Sequence, residues 1–216
     1  MLQKTQRAQF FYLLLYLLFV QLDLFREELG YVGFGLFVYI ALAGLGLILF
    51  GSTLKRDGSF VVSRPKTFGL YMILGLVSIL LLDTIFGYLG DMLLSFVGKL
   101  DYQLMNDQHL SALAASKIPA GLIPFVVILC GPLVEELIYR MILFGWLEDH
   151  LPVALAIALQ GLVFGMIHMH AWTWPEFFSI LPHMSTGLVL GYSYHTSGSL
   201  WVPIGLHILT NSLGVF

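Results

Sequence analysis

Long apolar runs broken by short polar stretches dominate the chain. Mainly apolar segments lie at about 8–25, 31–51, 68–97, 120–147, 152–170, 178–195 and 200–216. A helix that crosses a bilayer needs about 20 such residues. The pattern therefore predicts an all-α, polytopic membrane helical bundle of about seven transmembrane helices. The third and fourth runs are long enough to tilt, kink or include a re-entrant piece. Pro124 and Pro132 predict a kink in the fourth, because each removes a backbone donor. The segment from about 98 to 118 is the one predicted mobile loop. Gly161-Leu-Val-Phe-Gly165 and Gly187-Leu-Val-Leu-Gly191 both space two glycines by four, which lets helix backbones approach closely in lipid.

Composition agrees with this pattern. The 216 residues carry 10 Lys+Arg and 13 Asp+Glu, so 11% are charged while 58% are hydrophobic. A soluble domain averages roughly 25% charged residues, and this chain has too few to cover a water-facing surface. The net charge of −3 offers no basic field for phosphate, which excludes nucleic acid as a partner. The lipid bilayer is the partner the composition does imply. The single cysteine, Cys130, rules out an internal disulfide and a cysteine-held cluster, and its apolar setting predicts a small buried hydrophobe.

Basic residues tend to remain cytoplasmic. Lys4 and Arg7 precede the first span, and Lys55, Arg56, Arg64 and Lys66 fill a predicted loop after the second, which together place the N-terminus in the cytoplasm. The first run is read as a helix rather than a cleaved signal peptide, because Gln21, Asp23, Phe25 and Arg26 follow it without a small-x-small site. Trp172, Trp174 and Trp201 fit interfacial anchors.

The chemistry lies in polar residues inside apolar spans. Asp83, Asp91, Glu135, Glu136, Arg140, His168 and His207 all fall there. Glu135, Glu136 and Arg140 together would cost ~8–10 kcal/mol if each faced lipid, so they face protein or a wet cavity. Glu136 and Arg140 are four apart, with the acid first, which is the favoured order for a helical ion pair. Glu135 stands five positions from Arg140, about 140° round an α-helix, and is left without that partner. A carboxylate uncompensated in a low-dielectric pocket is a candidate general base; a purely structural charge cluster is the alternative. Phe164 and His168 share a face of the fifth span, as do His207 and Asn211 in the seventh. Together these residues supply a carboxylate, imidazoles and neutral donors able to stabilise an oxyanion, the parts for water attack on an amide.

Glu135-Glu-Leu-Ile-Tyr-Arg140, Phe164-Gly-Met-Ile-His168 and His207-Ile-Leu-Thr-Asn211 read as EExxxR, FxxxH and HxxxN in order on successive helices. This set resembles the CAAX-protease and bacteriocin-processing family (CPBP, or Abi) of intramembrane endopeptidases. The resemblance divides the chain into N-terminal membrane helices and loops at 1–117 and a catalytic helical core at 118–216. It implies that Glu135 activates water, that His168 positions it, and that Arg140 holds Glu136. It further implies that His207 and Asn211 form an oxyanion hole and that Phe164 packs the site wall. The family is described both as metal-free and as metalloprotease. A divalent metal such as zinc would be held by Glu135, His168 and His207, with Glu136 as a further donor, although no H-E-x-x-H occurs.

Other intramembrane chemistries fit less well. The chain lacks G-x-S-G, and Gly87-Tyr-Leu-Gly-Asp91 matches the aspartyl G-x-G-D only loosely, so Asp83 and Asp91 read as helix-pairing or rim residues. His109 and His150 read as solvated, and His170 as facing away from His168. His183 and His195 read as interfacial, with the cavity wall as the alternative for His183. The expected function is hydrolysis of peptide bonds in membrane-associated peptides or proteins. A short chain without a targeting appendage suits a multi-pass protein of a bacterial plasma membrane. Leader peptides, bacteriocin or pheromone precursors and membrane-protein tails are the expected substrates there; prenylated substrates would need a partner pathway. The rival is a non-catalytic immunity or regulatory protein that binds a sensor or peptide.

Overall fold

Apolar side chains at helical spacing, with backbone donors that lipid cannot satisfy, leave helices as the solution for this chain. The computed structural model describes residues 2–22, 34–115, 118–119 and 121–214, and among these the regular structure is helical throughout. Helix α1 (Leu2–Tyr16) continues as a π-helical turn over Leu17–Gln21. Then come α2 (Phe34–Ser63), α3 (Pro65–Phe96) and α4 (Met105–Ala114). Helix α5 runs over Leu122–Glu148 and is followed by α6 (Val153–Met166) and α7 (Trp174–Ser179). The chain closes with α8 (Leu181–Ser197) and α9 (Trp201–Gly214).

Seven of these helices fall on the seven apolar runs. Among the described residues, α2, α3 and α5 are long and apolar enough to cross a membrane alone, whereas α6 is shorter. Asp23, Phe25 and Arg26, and the expected start of the second span at 31, lie outside the described residues. The fourth run is indeed irregular, but through π-helical stretches at Phe125–Cys130 and Leu137–Phe144 rather than a break at either proline. Pro132 lies inside this continuous helix, where its missing N–H leaves a carbonyl of the preceding turn without its helical donor.

Two expected loops are helical instead. Lys55 and Arg56 lie within α2, because Asp57 beside them is buried and serves the next helix pair. Its carboxylate accepts from the Leu200 amide (3.3 Å), its carbonyl accepts from Ser199 Oγ (2.9 Å), and the Leu54 carbonyl accepts from Trp201 Nε1 (2.7 Å). Trp201 is thus a helix-pairing residue, whereas Trp172 and Trp174 are largely exposed, as anchors should be. The break comes only at Arg64, which the following Pro65 forces out of helical geometry (φ −133°, ψ 55°). The segment 98–118, expected to be mobile, contains α4 and is tied down by Glu176. That buried carboxylate accepts from Tyr102 OH (2.8 Å), the Met105 amide (2.9 Å) and the His170 amide (3.1 Å). Burial, and then the carboxylate it donates to, raise the Tyr102 phenol above its ordinary value and keep that donor protonated.

Helix α8 is the spine, packed along α6 and α3. Against α6 the contact is backbone to backbone: a Cβ at Gly187 would stand 2.9 Å from the Gly161 Cα, and one at Gly165 would meet the Met184 backbone nitrogen at 3.0 Å. Both glycine pairs therefore mark the same close crossing. Against α3, Ser185 and Thr186 donate to Asp83 (2.5 and 2.9 Å), which makes Asp83 a helix-pairing residue. The α8–α9 turn is made by Gly198 in the left-handed region (φ 65°). Cys130 is buried in the main apolar core, while much of α3 from Leu70 to Phe96 presents large apolar side chains outward, as a lipid-facing helix must.

Candidate active site

The paired acids ride on α5 where its winding changes. Glu135 and Glu136 close the α-helical piece Gly131–Glu136, and Arg140 lies in the π-helical stretch that follows. Single π-turns inside α-helices occur frequently at functional sites. The wider winding brings residues five apart nearer the same face than an α-helix does, so the 140° argument for Glu135 does not hold locally. Its outcome does hold. Arg140 Nε stands 3.0 Å from Glu136 Oε2, with both side chains fully buried. The contact is a close charge pair without hydrogen-bond alignment, since neither atom has a hydrogen-bond partner among the described residues. Arg140 Nη2 donates weakly to the Gly187 carbonyl (3.4 Å), and its guanidinium carbon lies 4.4 Å from the Phe164 ring centroid.

Glu136 has a second partner that lies outside its own helix. His207 Nδ1 is 2.8 Å from Glu136 Oε1, and because a carboxylate only accepts, the Nδ1–H donates. The other imidazole nitrogen, Nε2, faces Glu135 Oε2 at 3.7 Å. His207 therefore bridges the two acids, an arrangement that neither its oxyanion-hole reading nor its metal-ligand reading contained. Glu135 is also not wholly unpartnered: Tyr39 OH on α2 donates to Oε1 at 3.4 Å. Both of its contacts are long, and its side chain is 12% exposed against 0% for Glu136. Of the two carboxylates, Glu135 is the one with free accepting capacity.

Phe164 joins the remaining pieces. Its ring is buried, with edge contacts to His168 (5.5 Å) and His207 (5.6 Å) between centroids, which brings the three motifs to one place. His168 donates Nδ1–H to the Phe164 carbonyl (3.1 Å), so the neutral ring presents Nε2 as an acceptor. Asn211 Nδ2 donates to the Val127 carbonyl at 2.8 Å on the first π-helical stretch of α5. One of its two N–H groups is thereby spent, and one remains.

Two matches with known proteins bear on this region. The family model described as "Type II CAAX prenyl endopeptidase Rce1-like" matches residues 118–213, the stretch that carries all three motifs. A Bacillus subtilis (strain 168) protein named "Putative membrane peptidase YdiL" is 27% identical over 96 residues, which is 43% of this chain and 37% of that protein. Residues 118–213, a little under half of the chain, carry the likeness to this family of membrane peptidases. The chain matches little more than a third of the length of that curated relative, and no solved structure matches it.

The candidate donors do not, as they stand, form a zinc-type ligand set. Among the described residues no group of three His, Cys, Asp or Glu side chains is arranged to hold a metal ion.

Several residues that shape this site carried little signal in the sequence. Tyr39 reaches Glu135 across 96 positions, and Tyr16 OH lies 2.8 Å from Tyr139 OH behind it. Gln160, wholly buried, donates to the same Gly187 carbonyl as Arg140, at 2.7 Å. A lone amide beside Gly161 in an uncharged helix was legible as interhelical glue. Glu176, three residues after Thr173, was legible as part of an N-terminal capping pattern, and its amide does bond Thr173 Oγ1 (3.4 Å). The remaining histidines separate clearly: His195 pairs with Glu148, while His109 and His150 are exposed, His109 on helix α4 against the His170 ring and His150 on the Trp146 carbonyl. The His183 ring lies against His168, on the side of the candidate site.

Proposed function

We propose that this protein is an intramembrane endopeptidase that hydrolyses peptide bonds of membrane-associated peptides or proteins with water activated by Glu135. The observation that carries the reading is the asymmetry of the two adjacent acids: Glu136 is taken up by Arg140 and His207, while Glu135 makes only two long contacts and keeps accepting capacity beside the imidazoles. In this reading water lies between Glu135 and His168 Nε2. Glu135 takes a proton as the water oxygen attacks the amide carbon, and passes it to the leaving nitrogen as the C–N bond breaks. Arg140 and Glu136 hold the helix and orient His207.

The oxyanion is met by the second N–H of Asn211 and by His207. Because Nδ1–H is given to Glu136, His207 can donate from Nε2 only as an imidazolium. With that charge, Glu135, Glu136, Arg140 and His207 sum to zero, a favourable state for a buried cluster. The helices of 1–117 then form the membrane frame and 118–216 the catalytic core. A bacterial plasma membrane, with leader peptides, bacteriocin or pheromone precursors and membrane-protein tails as substrates, is the setting the reading favours.

Glu135→Gln keeps size and hydrogen bonding but removes the proton acceptor. Cleavage of co-expressed candidate peptides, scored by mass spectrometry, should fall by at least ~10²-fold with membrane insertion unchanged. Wild-type turnover in the variant eliminates the mechanism.

A further inference from the structure

His183 has no part in the three motifs, yet its ring makes the closest centroid contact with His168, at 4.1 Å and tilted by 34°. The sequence explains why the two meet. Gly165 lets α6 approach α8 until the Met184 backbone lies within 3.0 Å of a hypothetical Cβ. His168 follows Gly165 by three positions, just beyond the end of α6, and His183 precedes Met184, so the crossing that the glycine permits sets the two imidazoles against each other. Phe164 contacts the His168 ring from another direction, at 5.5 Å and 65°. The His168 ring is thus packed by an aromatic neighbour on α6 and by His183 on α8, with one nitrogen bound to the Phe164 carbonyl.

The His183 ring is not held where it is by a hydrogen bond at Nδ1, which is buried without a partner. A buried polar atom left unpaired is costly and rare, and it asks for an explanation. The neighbours on α8 do not supply one: Ser185 and Thr186 give their hydroxyls to Asp83. Packing against His168 is what the ring does there.

We propose that His183 is a positioning residue that acts through His168. By stacking on that imidazole it fixes the ring plane that keeps Nδ1–H on the Phe164 carbonyl and leaves Nε2 as the acceptor for the attacking water. The proposal rests on the hydrolytic reading for its effect on rate, but not for its effect on the ring. Without the stack, His168 would rotate about its χ2 bond, Nδ1–H would leave the Phe164 carbonyl, and nothing would fix which nitrogen carries the proton.

The test uses the full chain in detergent micelles, labelled with 15N-histidine, with the His168 signals assigned by their loss in His168→Gln. The wild type should show neutral His168 as a single Nδ1–H tautomer. His183→Ala should show mixed tautomers and a kcat about 10- to 100-fold lower, the scale of a small misplacement of a reacting group, with KM within about twofold. His183→Phe, which restores an aromatic ring without nitrogen and guards against misfolding, should recover the single tautomer and most of kcat. An unchanged His168 tautomer in His183→Ala overturns the proposal, as does a kcat loss that Phe fails to repair. If Glu135→Gln cleaves as well as wild type, the hydrolytic reading fails instead, and the tautomer comparison alone decides the role of His183.

Discussion

Removing the Arg140 guanidinium tests how the buried charges are balanced. Glu136 and Arg140 are both fully buried, and deleting one partner of such a pair costs ~3–5 kcal/mol because the other is left uncompensated. His207 Nδ1–H remains on Glu136 in the variant and softens that loss without cancelling it. Arg140→Ala should therefore melt clearly earlier in detergent, and the double variant Glu136→Gln with Arg140→Met should recover much of the difference. An Arg140→Ala variant as stable as wild type would refute the pairing. Asn211→Ala probes a different link. Its remaining N–H is argued to meet an oxygen that becomes negative only as water attacks, so kcat should drop by ~10²–10³-fold while KM changes little. A melting curve checks that the lost bond to the Val127 carbonyl has not unfolded the site. The Glu136–Arg140 pair was legible in the sequence because four positions along one helix define a face. The bridge from His207 to both acids was not, because it spans 71 residues and depends on how α9 meets α5.

Helix against helix, the glycines decide the distance. A methyl group at Gly187 would meet Gly161 backbone at 2.9 Å, which cannot yield as a side-chain tip can. Gly187→Ala should destabilise by ~1–3 kcal/mol, the cost of overpacking a close contact, and disturb the Phe164–His168 region that α6 carries. Gly44→Ala on α2, where a Cβ would meet nothing within 4 Å, should leave the melting temperature unchanged or slightly higher. Equal losses at both positions would mean that the α6–α8 crossing is not set by backbone contact. At this scale the apolar runs foretold where helices lie, since hydrophobicity sets burial in lipid directly. They misplaced the end of α2 and missed α4, because Lys55, Arg56 and Asp57 resemble a loop until Asp57 is seen capping the α8–α9 turn. Nor could they foretell the π-helical winding around Arg140.

Across the molecule, an apolar exterior surrounds a small polar centre contributed by α2, α5, α6 and α9. Tyr39, Glu135, Glu136, Arg140, Phe164 and His207 are joined there by contacts that no single helix contains. The central claim is that this centre delivers water to a peptide carbonyl with Glu135 as base rather than as nucleophile. Single-turnover cleavage of a peptide substrate in 18O-labelled water tests it most directly. The account predicts that the first turnover places 18O in the new C-terminal carboxylate, with no label in Glu135 and no labelled product from Glu135→Gln. Label in Glu135 with unlabelled oxygen in the product would mean a covalent acyl intermediate. Undiminished cleavage by Glu135→Gln would remove the base. No cleavage by wild type alongside intact cellular function would mark a binding protein instead.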